Sequence, residues 1–369
     1  MKINLMTLAS AAALCAAAAS GLRAQDLPGG LVPDTKTNPT RQGTRGANFL
    51  ELGVGARGQA MAGAVASLVD GPTAMYWNPA GIASGEKFSI AASRMNLYTD
   101  LDISHNFVGV TIPVFGGVVG AHFLSLNSGP INRTTTDNPE GGDLVAGSTF
   151  EWNSTSIGVS YGRRLTDRLD LGGTLKYVGE GLTDAKTSWG ALDVGTQFRT
   201  GLYGLTIGAA VLNIGPSSQA GGAAIRRRLR STDVSGNERT DFNLTTQETE
   251  LPTLFRFSVG SDLIGRANSL LGQKFGAKNS LNGELAVSDA IDTNIQFAVG
   301  LEYSFANTLF LRGGERAYND QRNTGSNYGL SGGFGLRLPV ADRAMRFDYG
   351  YTQLGELKNL QVFSFEFGR

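Results

Sequence analysis

The chain has 369 residues, of which 41% are hydrophobic and 17% charged, with 32 basic and 32 acidic side chains and 51 glycines. A zero formal charge removes the basic footprint that nucleic-acid binding needs, so no nucleic-acid partner is expected. A single cysteine and two histidines leave little for a disulfide framework or a metal centre, and neither a metal nor a cofactor is expected.

The first 24 residues read as a secretory signal. Lys2 supplies the positive start, Leu5 to Ala19 an alanine-rich apolar run, and Leu22-Arg23-Ala24 a small-residue exit compatible with cleavage before Gln25. Cys15 lies inside this segment behind the bulky Leu14, so neither a lipid anchor nor a disulfide is expected in the mature chain. No later stretch reaches the roughly 20 apolar residues of a spanning helix, so a membrane location requires a closed barrel.

Residues 25–46 are polar and interrupted by Pro28, Pro33 and Pro39, which reads as a flexible leader. Residues 47–85 change to small apolar residues with short helical patterns, a compact N-terminal plug. Here Gly53, Gly55 and Gly58 spell a literal dinucleotide-binding pattern with Asp70 downstream. That chemistry requires a βαβ unit whose helix N-terminus holds a pyrophosphate, and nothing downstream alternates strand with helix. The glycines are read instead as positions of tight backbone packing.

From residue 86 to 369 the period is two. Ile295, Phe297, Val299, Leu301, Tyr303 and Phe305 alternate with Gln296, Ala298, Gly300, Glu302 and Ser304, and Met345, Phe347, Tyr349 and Tyr351 with Arg346, Asp348, Gly350 and Thr352. Such strands belong to a lipid-facing barrel wall, apolar outward and polar inward. About fourteen segments follow the pattern, and single-chain bacterial barrels have an even number. With the first strand running outward, the inner turns are short, as at 113–116, 163–167, 306–307 and 339–343. The outer loops are long, as at 127–149, 215–252 and 316–327. The connection 263–279 breaks the rule: it is an inner turn and long, which means either irregular structure or a wrong pairing. A secreted soluble sandwich also alternates, but its single narrow core does not suit so many strands with charges on one face. The inward charges, among them Lys176, Arg256, Glu284, Glu302, Arg312, Arg337, Arg346 and Asp348, are expected to pair with one another and with the plug.

Chemistry is sparse. His105 and His122 each sit within an alternating strand, and no Gly-x-Ser-x-Gly elbow occurs, so no catalytic residue is assigned and the chain is not read as an enzyme. Arg226, Arg227, Arg228 and Arg230 form a basic cluster in the longest loop. It could meet lipopolysaccharide phosphates or an acidic partner, because guanidinium groups match phosphate and carboxylate geometry. The alternative is a solvated loop.

The run from Gly55 to Gly81, ending in Tyr76-Trp77-Asn78-Pro79-Ala80-Gly81, resembles the N-terminal signature of the PorV/PorQ family of outer-membrane proteins. Its Asn-Pro-Ala-Gly core is also similar to the plug of FadL-like long-chain fatty-acid transporters. Further likeness lies in Ser160 to Tyr177, Val211 to Pro216 and Leu251 to Phe257. The resemblance implies a fourteen-stranded FadL-like barrel in a diderm outer membrane, with Asn78 to Gly81 in the plug and outer-membrane lipid and lipopolysaccharide around it. For function it implies type IX secretion, in which the barrel receives a cargo C-terminal β-domain and passes it to surface attachment components. The alternative is FadL-like passage of hydrophobic small molecules such as long-chain fatty acids through a lateral opening.

Overall fold

The computed structural model describes residues 43–98, 101–136, 138–141, 149–230, 239–265, 269–272, 278–318 and 329–368. The expected signal segment 1–24 and nearly all of the leader 25–46 lie outside the described residues, as do the side chains of Arg227, Arg228 and Arg230.

Fourteen antiparallel strands form the wall: β1 Ser89–Leu97, β2 Ile103–Val114, β3 Gly117–Asn127, β4 Trp152–Thr166, β5 Leu169–Leu182, β6 Ala185–Arg199 and β7 Leu205–Ile214, then β8 Leu254–Ile264, β9 Asn279–Ala290, β10 Gln296–Phe305, β11 Leu309–Tyr318, β12 Leu330–Val340, β13 Arg343–Gln353 and β14 Asn359–Phe367. Each pairs with its neighbours in sequence, and β1 closes on β14 from Ile90 opposite Phe367 to Leu97 opposite Leu360. Closure leaves no free edge, so the backbone donors and acceptors are paired within the wall, as a hydrocarbon surround demands. Side chains such as Val159, Leu175, Leu285, Phe297, Leu311 and Phe334 point outward and are more than half exposed.

Twist is supplied at the short turns by residues with positive φ. Ala306 and Asn307, at 53° and 54°, join β10 to β11 in the left-handed geometry that suits two-residue hairpins. The doubtful connection after β8 is irregular structure, not a wrong pairing. β8 and β9 pair from Leu254 opposite Ala290 to Ile264 opposite Leu281, and the described part of the loop returns to β8, with Leu270 and Leu271 N–H groups donating to Asp262 and Leu263 carbonyls at 3.1 and 2.9 Å. Two small hairpins stand in the outer loops, Ile131–Asn132 with Thr149–Phe150 and Arg226–Arg230 with Arg239–Asn243.

The expectation of apolar outward and polar inward needs one correction. In the outer halves of β14, β1, β2 and β3 the phase reverses. Met95, Leu97, Phe107, Leu124, Leu360 and Val362 face inward and are buried, while Arg94, Asn96, Asn106, Ser125 and Gln361 take the outward positions. A wall with polar groups outside and apolar groups inside is suited to water beyond the hydrocarbon, with an apolar filling within.

Residues 47–85 fill the lumen with two short helices, α1 Ala56–Ala60 and α2 Ala74–Trp77, and 3-10 turns at Asn48–Glu51 and Pro79–Ser84. Asn78 opens the second turn: its backbone is extended and its side-chain oxygen accepts from the Ala80 N–H, with Pro79 at the first position, where a missing donor costs nothing.

Candidate functional site

The plug rests on a belt of small residues around the inner wall. Gly162, Gly172 and Gly195 lie directly opposite one another on β4, β5 and β6, and Gly300 faces Gly314 and Gly333 faces Gly350 on the far side. A Cβ at Gly172 would stand 2.3 Å from the Pro79 carbonyl oxygen, and one at Gly195 would stand 2.1 Å from the Asn78 Oδ1. Much of the glycine in the composition is therefore spent on letting the plug approach the wall backbone.

The residues of the plug motif are used for packing. Trp77 donates from Nε1 to the Val54 carbonyl at 2.9 Å, and Gly58 lies under its ring, where a Cβ would come within 2.6 Å. Gly53, at φ 81°, donates its N–H to the Tyr76 hydroxyl at 2.8 Å, and that hydroxyl donates to the Leu50 carbonyl at 2.7 Å. Gly55 precedes α1 and donates to Ser93 Oγ at 3.3 Å. Asn78 donates through Nδ2 to the Ala66 and Thr196 carbonyls at 2.8 and 2.9 Å, tying two plug turns to β6. Gly81 abuts the Val69 carbonyl, and Ala80 is fully buried. The Gly53 and Gly55 N–H groups, which a phosphate would need, are taken by the Tyr76 and Ser93 hydroxyls.

A charged lattice locks this assembly. Arg57 of α1 donates to both carboxylate oxygens of Glu302 at 2.9 and 3.0 Å. Arg312 bridges Glu302 and Asp348 at 2.7 and 2.8 Å, and Arg346 reaches Asp348 at 3.0 Å. Arg256 donates to the Tyr76 and Trp77 carbonyls at 3.0 and 3.3 Å and lies 4.9 and 4.6 Å from the centres of their rings. Glu284 accepts the Ser67 N–H at 2.8 Å. On the opposite wall Lys176 meets Asp193 at 2.8 Å and also Asn213, whose N–H donates to Asp193 at 2.6 Å at the register shift between β6 and β7. Charge taken from water is tolerated here where it is paired and hydrogen-bonded, as for Arg57, Glu302, Arg312, Asp348, Lys176 and Asp193.

Above the lattice the filling becomes apolar. Phe49, Leu50 and Leu52 pack against Phe107, Leu124, Met95, Leu97, Leu360 and Val362. Glu51 lies between the two zones, and burial, then the neighbouring Asp292 carboxylate, pushes its carboxyl up to about 8. His105 and His122 belong to this inner surface, 2% and 8% exposed, His105 edge-on to Phe49 and His122 stacked with Phe107. Among the described residues no cluster of three or more His, Cys, Asp or Glu is placed to hold a metal. Arg226 is exposed at the start of its hairpin.

This filled apolar chamber, in which Phe107, Leu124, Met95 and Leu97 are only 1% to 2% exposed, is the feature that sequence reasoning missed. Alternation is visible at Arg94 to Leu97 and at Leu124 to Asn127, but alternation has no sign. The polar members there, Arg94, Asn96, Ser125 and Asn127, do not differ in type from the inward Gln296, Glu302, Ser304 and Arg346 elsewhere, so the residues themselves carry no signal of the exchange.

No protein-family model and no curated protein sequence matches the chain. Solved structures do. The toluene transporter TodX of Pseudomonas putida superposes with a TM-score of 0.53 at 11% identity, over 86% of this chain and 96% of that one. The monoaromatic hydrocarbon channel CymD gives 0.53 at 11% over 86% and 97%, and the Ralstonia pickettii toluene transporter TbuX 0.51 at 12% over 86% and 97%. The class that fold and geometry define is a closed, fourteen-stranded, FadL-like barrel with an N-terminal plug.

Proposed function

We propose that this protein is an outer-membrane barrel, not an enzyme, that receives small hydrophobic molecules from the cell exterior. The observation that carries the reading is the apolar packing of Phe49, Leu50 and Leu52 against the inward apolar residues of β14 and β1 to β3, a filled chamber that a hydrophobic ligand would enter by displacing those plug residues, inside a wall whose outer face there is polar. Most binding sites for such ligands are concave and mostly apolar. The matched structures, whose names specify toluene and monoaromatic hydrocarbons, support the same class of cargo. The type IX shuttle implied by the PorV/PorQ resemblance draws no support from them, and a chamber of this kind has no evident use in handing over a β-domain.

The test is equilibrium binding of toluene or a fluorescent fatty acid to the detergent-purified barrel, comparing the natural protein with Leu126→Arg. Saturable binding that the variant loses supports uptake. Absent binding, together with capture of secreted proteins sharing one C-terminal β-domain from solubilised outer membranes, transfers the assignment to secretion.

A further inference from the structure

The inner rim of the barrel is uneven in charge. Around the β4–β5 and β6–β7 turns stand Arg163, Arg164, Arg168 and Arg199, against only Asp167 and Asp170. Asp170 is fully buried and takes two of the arginines, Arg164 at 3.1 Å and Arg199 at 2.7 Å. Arg168 donates to the Thr200 carbonyl at 3.4 Å and forms no ion pair with a described carboxylate. Arg163 is exposed on the outward face of β4 and makes no hydrogen bond or ion pair with a described residue.

Its setting is apolar. Tyr161 and Leu165, 41% and 52% exposed, precede and follow it on the same face, and Leu171 of β5 lies directly opposite. The Tyr161 hydroxyl donates to the Phe115 carbonyl at 3.1 Å, and Phe115 is 87% exposed at the neighbouring turn, with Leu202 and Tyr203 at the turn beyond. A guanidinium flanked by lipid-facing side chains at the edge of the apolar belt is suited to an anion that brings its own apolar body. A free phosphate ion does not meet that condition, whereas an acyl-chain-bearing phosphate does.

We propose that the inner edge of β4 and the β4–β5 turn form a binding site for an anionic phospholipid of the inner leaflet, its phosphate held by Arg163 and Arg168 and its chains lying along Tyr161, Leu165 and Leu171. The opposite rim lacks this arrangement: Lys87 is paired with Asp342, and Arg343 lies over the Phe88 and Phe367 rings at 5.9 and 5.6 Å. The inference rests on the barrel spanning a membrane, not on what it carries.

The barrel is reconstituted in mixed phosphatidylcholine and phosphatidylglycerol, extracted, and its retained lipid read by native mass spectrometry. Phosphatidylglycerol is expected on the natural protein and on Arg343→Gln, and about tenfold less of it on the Arg163→Gln/Arg168→Gln double variant, a loss equivalent to roughly 1.4 kcal/mol. Heat-modifiable migration of each variant verifies the fold, so that failure of the barrel reading and failure of the lipid site are separate results. Equal retention by the folded double variant, an equal loss in Arg343→Gln, or no preference over phosphatidylcholine overturns the proposal.

Discussion

The belt that holds the plug and the apolar chamber belong to one wall, yet they are built on different strands and resist change for different reasons. In the belt, glycines bring the backbones of plug and wall into contact, and the groups that meet are directional: Asn78 with two carbonyls, Arg57 with both oxygens of Glu302. In the chamber, Phe49, Leu50 and Leu52 meet methionine and leucine side chains through contacts without direction. Directional contacts fail all at once, whereas apolar ones can be exchanged for those of another apolar molecule. On the proposed function, the difference teaches where a ligand would compete: in the chamber, with the belt beneath staying closed.

The contrast can be broken most severely at the belt. Gly172→Leu sets a side chain where a Cβ alone would stand 2.3 Å from the Pro79 carbonyl. Overpacking of this kind costs about 3 kcal/mol or more, and loss of heat-modifiable migration, or steady ion conductance through a barrel whose plug has been displaced, is the expected readout. Arg57→Ala comes next. It removes a two-point partner from Glu302, whose side chain is 5% exposed and keeps Arg312, and should cost about 2 kcal/mol, read as a lower midpoint in detergent unfolding. Glu302→Gln should cost a similar amount, because Arg57 then keeps only Asp70 at 3.6 Å while Arg312 keeps Asp348 at 2.8 Å.

Leu97→Ala tests the chamber. Removing this buried side chain should cost about 2 kcal/mol and leave an apolar void. Binding of a small aromatic ligand should then rise, not fall; a fall would mean that Leu97 is itself part of the ligand contact.

A smaller effect should follow pH. The Glu51 carboxyl titrates near 8 in the folded protein against an ordinary value of 4.5, so the folded state holds the proton more tightly. Its contribution to docking of residues 48–51 is therefore complete below about 4.5 and declines as pH rises through about 8. Hydrogen exchange of the 48–54 amides should quicken from pH 6 to 9 beyond the intrinsic base dependence, and Glu51→Gln should remove the excess. The least effect is expected at Asn106→Leu on the outward face of β2, within about 0.5 kcal/mol, because nothing in the chamber touches that position.

Alternation of side chains showed the barrel in the sequence because lipid and lumen impose opposite demands on neighbouring residues all along Gln296 to Phe305 and Arg343 to Gln353. The Asn78 to Gly81 turn was equally legible, since its residue types follow from local backbone geometry. Loop length misled at 263–279, where a long segment folds back on β8 while the strand pairing stays regular.

What the sequence determined by itself was the period, the approximate number of strands and the presence of inward charges, all set by interactions within a few residues of one another. The tertiary structure alone decided that Arg57 meets Glu302, 245 positions away, that glycines on different strands form one belt, and that the outer halves of β14 and β1 to β3 turn their apolar side inward. A period of two is unchanged when the faces are exchanged, so only the surroundings, lipid or water outside and plug within, fix which face is which.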